Sequence, residues 1–110
     1  MIGTPGGSRI ISMVLLGTLA FAAGAEAEAI VATGRYHHQF LPDCIEHEPG
    51  LWDDTLRRAL AARGHCVEAG RRRWGNMQLV IWDKRAGRLQ AAADPRGIGA
   101  GRVRLRADQR

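Results

Sequence analysis

Aromatic residues and cysteines are scarce in this chain of 110 residues, in which Phe, Trp and Tyr together make up 5%. The two cysteines, Cys44 and Cys66, form no Cys-x-x-Cys motif, so neither a zinc ribbon nor a thioredoxin-like redox site is indicated. The longest apolar run, residues 10–23, is shorter than the roughly 20 residues that a transmembrane helix needs. We therefore expect no association with a membrane.

Lysine is nearly absent, and arginine supplies almost all of the positive charge behind the formal net charge of +5. The arginines cluster at residues 71–73 and near the end of the chain, without interleaved aromatic residues. Such short clusters favour a solvated face and a tail over a nucleic-acid interface. We therefore predict no nucleic-acid partner; a DNA-binding module, which would bind in a salt-dependent way, is our weakest hypothesis.

The length allows one domain at most, and we find no internal repeats. We assign residues 1–103 to this domain and residues 104–110 to a basic tail that we expect to be disordered. The residues from Gly97 onward, which are rich in glycine and arginine, are expected to fray.

Histidines and cysteines offer a set of possible metal ligands without the tight spacing that metal sites usually show. We therefore predict neither a metal site nor a cofactor. The residues considered are His37, His38, Cys44, His47, His65 and Cys66.

A glycine-rich turn, Pro5-Gly6-Gly7-Ser8, stands directly before the apolar run. Paired glycines allow positive φ and a close approach of a ligand to the backbone. The apolar residues that follow recur at helical spacing, so the turn is predicted to lead into a helix. Backbone amides at such a place can bind one anion or a developing oxyanion.

The remaining pattern predicts a mixture of helices and strands. We expect helices at 25–31 and 51–64, a turn at 46–50, a strand at 65–68 and a hairpin at 77–82 and 89–93. Asp53 and Asp54 fall in the first turn of a helix and complement its dipole, so we do not interpret them as a catalytic acid and base. Asp94 and Arg96 are predicted to form an ion pair at the hairpin end.

Three motifs, Pro5-Gly6-Gly7-Ser8-Arg9-Ile10, the segment His-His-Gln-Phe-Leu-Pro-Asp at 37–43, and Asp94-Pro95-Arg96, follow one another in this order. Together they resemble the C-terminal part of the small subunit of gamma-glutamyltransferases. The resemblance implies an α+β fold, namely a C-terminal fragment of the αββα sandwich of N-terminal-nucleophile hydrolases. It also implies a periplasmic or extracellular location.

By this resemblance, Gly6 and Gly7 form the oxyanion hole for the attack of an N-terminal threonine on a gamma-glutamyl carbonyl. The threonine acyl-enzyme then transfers the gamma-glutamyl group of a glutathione-like substrate to water or to an acceptor amine. Thr4 does not match the nucleophile's motif, and the matching segment would lie upstream of Met1. The implied partners are the remainder of the small subunit and the large subunit, and we expect this chain alone to be inactive and to fold poorly.

An alternative hypothesis is a small secreted basic binding protein. Arg9, the apolar run and the small residues after it are typical of a signal peptide, here residues 1–29. In that protein Cys44 and Cys66 would form a disulfide. The sequence itself leaves open whether these cysteines are paired or are two free thiols.

Overall fold

A computed structural model of the chain describes residues 1–106, so part of the predicted tail, residues 107–110, lies outside the described residues. The described part contains helices and strands in mixed order, which agrees with the predicted α+β class. The helices are α1 (Ile10–Ala22), α2 (Ala27–Ala32) and α3 (Asp54–Ala62). The strands are β1 (Ile2–Gly3), β2 (Tyr36–His37), β3 (Ile45–His47), β4 (Val67–Ala69), β5 (Gln78–Asp83) and β6 (Arg88–Ala93).

The first sheet is antiparallel, with the strand order β1-β5-β6. Its centre is the predicted hairpin, in which Leu79 stands opposite Ala92. Strand β1 is short and places Ile2 opposite Leu79 on the other edge of β5. This pairing brings the beginning of the chain next to residues nearly 80 positions further along.

The second sheet has the order β2-β3-β4, and its β3 and β4 run parallel. Helix α3 provides the crossover that parallel neighbours require. A disulfide joins Cys44, directly before β3, to Cys66, directly before β4, with a Cα–Cα distance of 4.6 Å. The cysteines are therefore paired, which resolves the question that the sequence left open.

The hydrophobic core lies between the first sheet and helices α1 and α2. Gly17 in α1 permits a close approach, because a Cβ there would lie 2.7 Å from Cδ1 of Ile2 and 3.3 Å from Cε of Met77. The helices and the sheet thus form one layered unit. Its buried apolar residues are Met13, Ala27, Ile30, Val31, Met77, Leu79 and Ala92.

Two local predictions need correction. The predicted turn at 46–50 begins too early, because Glu46 and His47 belong to β3, where pairing with both neighbouring strands holds them extended. The third helix begins at Asp54, and Asp53 is its N-cap, whose carboxylate accepts a hydrogen bond from the Leu56 amide at 2.8 Å. The helix-terminal role of this acidic pair is confirmed.

The end of the described chain is more ordered than predicted. The Gly97 amide donates to the Asp94 carbonyl at 3.0 Å. Gly101 lies so close to β6 that a Cβ would stand 2.3 Å from the carbonyl oxygen of Ala91. The prediction of fraying from Gly97 onward is therefore wrong for Gly97, Gly99 and Gly101, which lie against the hairpin and the segment before it.

Candidate active-site turn

The glycine-rich turn joins β1 to α1, and both of its glycines adopt positive φ, 151° at Gly6 and 58° at Gly7. A side chain at Gly6 would also collide with the core, because its Cβ would lie 2.5 Å from Cε of Met13. Gly7 has open space around it, so only its left-handed backbone requires glycine. The backbone conformation of the turn therefore accounts for glycine at both positions.

The residues of the turn, Pro5 to Ser8, are exposed. The Gly6 carbonyl accepts from the Arg9 amide at 3.2 Å, and a short 3₁₀ turn, Gly7–Arg9, leads into α1. Within residues 1–106, the amide nitrogens of Gly6 and Gly7 donate to no other group of the protein. Two adjacent unpaired donors before a helix form a suitable site for negative charge.

Residues on both sides hold the turn against the core. Thr4 Oγ1 accepts a hydrogen bond from the Asn76 amide at 3.0 Å. Arg9 forms an ion pair with Glu46, and its guanidinium carbon stands 5.1 Å from the ring centroid of Trp74. Strand β1, the segment before β5 and strand β3 thereby fix the position of the turn.

The structure also contains a buried network of four charged residues: Arg35, Glu48, Asp94 and Arg96. Asp94 is its first acceptor. One carboxylate oxygen accepts from Arg35 at 2.6 Å and from the Met77 amide at 2.8 Å. The other accepts from the Arg96 amide at 2.9 Å and from its guanidinium at 3.1 Å. The predicted Asp94–Arg96 ion pair is thus confirmed, as part of a larger network.

Glu48 is the second acceptor of this network. Arg96 binds both of its carboxylate oxygens, through Nε at 2.7 Å and through a short contact from a terminal nitrogen. The backbone amides of Arg35 and Trp74 donate to the same carboxylate at 2.9 and 3.3 Å. Since both arginines also donate to main-chain carbonyls, the network joins the end of α2, the segment before β5 and the hairpin end.

Both carboxylates of the network stay ionised. Burial alone would raise the pKa of Glu48, but hydrogen bonds and attraction from Arg96, together with two backbone amides, lower it below its usual value. Burial would likewise raise the pKa of Asp94, and the Met77 and Arg96 amides and both guanidinium groups lower it instead. The two positive and two negative charges compensate one another in the interior.

A second polar chain lies beside the turn, where Ser12 Oγ stands 2.6 Å from Nδ1 of His37. Nε2 of His37 is 2.8 Å from Oε1 of Gln39, and the Gln39 amide nitrogen donates to the Leu41 carbonyl at 2.6 Å. The orientation of Gln39 therefore places the proton of the neutral ring on Nε2, so that Nδ1 accepts from the Ser12 hydroxyl. This chain fastens α1 to the segment after β2.

The possible metal ligands do not converge on one site in residues 1–106. His38 contacts Asp43 at 2.6 Å, whereas Nδ1 of His47 donates to the Glu48 carbonyl at 2.8 Å. Cys44, Cys66 and Glu68 do come together, with their ligand atoms within 4.8 Å of one another. The two sulfur atoms are bonded to each other, however, and so offer no thiolate for a metal.

Comparison with known families identifies the family of this chain. The family model for gamma-glutamyltranspeptidase matches residues 1–103. The chain belongs to the gamma-glutamyltranspeptidase family. The resemblance inferred from the three motifs is thereby confirmed.

Relatives of known identity support the same assignment. The chain is 37% identical over 97 residues to the glutathione hydrolase proenzyme of Escherichia coli, a match that covers 87% of this chain and 16% of that protein. It is 35% identical over 107 residues to the glutathione hydrolase proenzyme of Pseudomonas aeruginosa, covering 94% of this chain and 19% of that protein. The chain thus spans less than a fifth of the curated relatives it matches.

A solved structure extends the agreement to the fold. The gamma-glutamyltranspeptidase of Pseudomonas nitroreducens, complexed with L-DON, superposes with a TM-score of 0.82 at 32% identity. The match covers 94% of this chain and 54% of that one. The described residues therefore adopt part of the N-terminal-nucleophile hydrolase fold of this family, as the resemblance implied.

The secreted binding protein is not favoured by these comparisons. Its disulfide is present, but its supposed signal peptide contributes Met13 and Ala27 to the buried core. Within residues 1–106, we find no helix with the length and apolar character needed to cross a bilayer. Family membership accounts for the whole set of motifs, which the alternative leaves unexplained.

Proposed function

We propose that this chain is the C-terminal part of the small subunit of a gamma-glutamyltransferase and that Gly6 and Gly7 supply its oxyanion hole. The observation that carries the proposal is the geometry of the turn. Two consecutive exposed glycines with positive φ have backbone amides that donate to no group among the described residues, and Met13 of the buried core packs against Gly6.

The reaction that this turn would assist is acyl transfer. A threonine of the preceding part of the small subunit attacks the gamma-glutamyl carbonyl, and its own α-amino group serves as the base. As the carbonyl carbon becomes tetrahedral, its oxygen gains negative charge, which the two amides stabilise. Collapse of this intermediate breaks the C–N bond, and the departing amine takes the proton held by the α-amino group. The threonine acyl-enzyme that remains is then cleaved by water or by an acceptor amine. Loss of one such donor typically costs roughly 10²–10³ in rate.

The substrates and partners follow from the family. Because the relatives are glutathione hydrolase proenzymes, we infer a gamma-glutamyl donor similar to glutathione. The remainder of the small subunit would bring the nucleophile, and a large subunit would complete the substrate site. We further infer a periplasmic or extracellular location, with which the Cys44–Cys66 disulfide is compatible, since disulfides persist in oxidising compartments.

A chimera tests this proposal. Residues 1–103 of this chain would replace the matching segment of the Escherichia coli glutathione hydrolase proenzyme, with which the chain shares 37% identity over 97 residues. We expect the chimera to release the anilide from a gamma-glutamyl anilide, whereas the isolated chain should show no turnover. A chimera with native circular dichroism but no activity, or an isolated chain with activity, would overturn the assignment.

A further inference from the structure

The Cys44–Cys66 disulfide lies at one end of the parallel strand pair β3 and β4. Each cysteine directly precedes its strand, and the two Cα atoms are 4.6 Å apart. The Ile45 amide donates to the Cys66 carbonyl at 2.8 Å, and Ile45 stands opposite Val67 in the ladder. Backbone pairing, in addition to the bond between the sulfur atoms, therefore keeps the two cysteines next to each other.

Glu68 is a third potential ligand at this place. It follows Cys66 by two positions, and side chains two positions apart in an extended segment project from the same face. The ligand atoms of Cys44, Cys66 and Glu68 all lie within 4.8 Å of one another. Whereas Glu46 on the neighbouring strand is paired with Arg9, the Glu68 carboxylate forms no hydrogen bond or ion pair within residues 1–106. Cys66 and Glu68 are exposed and Cys44 is half-buried, so the group is accessible to a dissolved ion.

A cleft of about 140 Å³ opens beside these groups, and its lining includes Arg9, His37, Cys44, Glu46 and Glu68. The volume is several times what one water molecule needs, so it accommodates an ion with a bound water. His37 is engaged by hydrogen bonds at both ring nitrogens, and Glu46 is engaged by Arg9. The two sulfur atoms and the Glu68 carboxylate therefore remain as ligands, with a water for a fourth position.

Two thiolates and a carboxylate form a ligand set suited to zinc. Zn²⁺ binds thiolate sulfur at about 2.3 Å and carboxylate oxygen at about 2.0–2.2 Å in tetrahedral geometry, which places the ligand atoms about 3.6–3.8 Å apart. Because the three ligand atoms already lie within 4.8 Å of one another, small side-chain rotations bring them to these separations. Thiolate ligands also select zinc over magnesium or calcium.

We propose that reduction converts this disulfide into a zinc site with Cys44, Cys66 and Glu68 as its ligands. A dithiol reductant supplies two electrons and two protons: the bond between the sulfur atoms breaks, both cysteines become thiols, and the reductant closes to its own disulfide. Zn²⁺ then displaces the two thiol protons and binds both thiolates. The oxidised chain offers no thiolate, so the site exists only where such a reductant acts.

Zinc titration of the full chain in both redox states tests this inference. The reductant is a phosphine, which takes up one oxygen atom from water as it reduces the disulfide and contains no thiol that would compete for zinc. We expect native mass spectrometry to show one Zn²⁺ on the reduced chain and none on the oxidised chain. Zinc should also raise the thermal midpoint of the reduced chain alone, because it binds the folded state. Equal zinc binding in the two redox states, no binding by the reduced chain, or a midpoint that falls with zinc would overturn the inference.

Glu68→Gln distinguishes the proposed site from binding by the thiols alone. Glu68 is exposed, so the variant should keep the fold, and the reduced chain should lose zinc affinity at least about tenfold, since even an outer-sphere partner contributes that much. The matched control Glu28→Gln removes an exposed carboxylate of α2 and should leave the affinity unchanged. Equal affinities of the two variants, or binding that persists in Cys44→Ser/Cys66→Ser, would refute the proposed ligand set. These readouts involve no gamma-glutamyl transfer, so they do not depend on the proposed function.

Discussion

Glu48→Gln is the substitution that most strongly challenges the buried charge network. The carboxylate of Glu48 accepts from Arg96 and from the backbone amides of Arg35 and Trp74. The glutamine side chain has the same shape but only one acceptor oxygen. Its NH₂ group would face N–H donors, from which it cannot accept a hydrogen bond. The substitution also leaves one uncompensated positive charge in the interior. Breaking a buried ion pair in this way costs about 3–5 kcal/mol.

Such a loss is large compared with the roughly 5–15 kcal/mol by which domains are stable. For a chain of this size, we expect the thermal midpoint to fall by at least about 12 °C, or the cooperative transition to disappear. Urea and thermal denaturation followed by circular dichroism measure the effect. The matched control is Glu26→Gln, which breaks the exposed Glu26–Arg88 pair and should produce no measurable shift.

The double variant Glu48→Gln/Arg96→Gln restores charge balance, so it should lose less stability than the sum of the two single variants. If Glu48→Gln instead unfolds at the same midpoint as Glu26→Gln, the network does not hold the fold together. That result would refute the reasoning.

Further predictions concern pH and the disulfide. Folding lowers the pKa of Glu48 and of Asp94. Their ionised carboxylates therefore contribute fully to the free energy of unfolding at any pH above their pKa values in the unfolded chain, which are about 4. This contribution is lost as the pH falls through their lower pKa values in the folded chain. Denaturation at several pH values should therefore show constant stability from pH 7 to 5 and a decline below about pH 4; a steady decline already between pH 7 and 5 would contradict this. Replacing Cys44 and Cys66 by serine should cost roughly 3 kcal/mol, the entropy of opening a loop of this length, and an unchanged urea midpoint would show that the bond adds nothing.

Local sequence patterns were sufficient to predict the turn, the hairpin and the presence of the helices. Paired glycines before an apolar helical repeat allowed the turn at Gly6 and Gly7 to be predicted, and β-branched residues indicated β5. Boundaries were less predictable where tertiary contacts decide them. Strand pairing keeps Glu46 and His47 extended in a segment whose composition is typical of a turn.

The charge network could not be predicted in full, because its members are distant in sequence. Arg35 and Asp94 are 59 positions apart, and Glu48 and Arg96 are 48 apart. Only Asp94 and Arg96, two positions apart, gave a local signal. Arg35 and Glu48 stand in polar surroundings where solvated charges are the rule, so nothing in their neighbourhood indicates burial. The cysteine pairing was undetermined for the same reason.

The most direct measurement of the central claim is the turnover of the chimera with Gly7→Ala compared with Gly3→Ala. At Gly7, alanine is strained by the left-handed backbone at φ 58°, which shifts the proposed donor. At Gly3, a Cβ meets nothing within 4 Å, so the variant controls for a glycine-to-alanine change nearby. The account predicts that Gly7→Ala lowers kcat about 10²-fold with KM nearly unchanged and native circular dichroism, whereas Gly3→Ala retains activity. Equal kcat values for the two folded variants would contradict it.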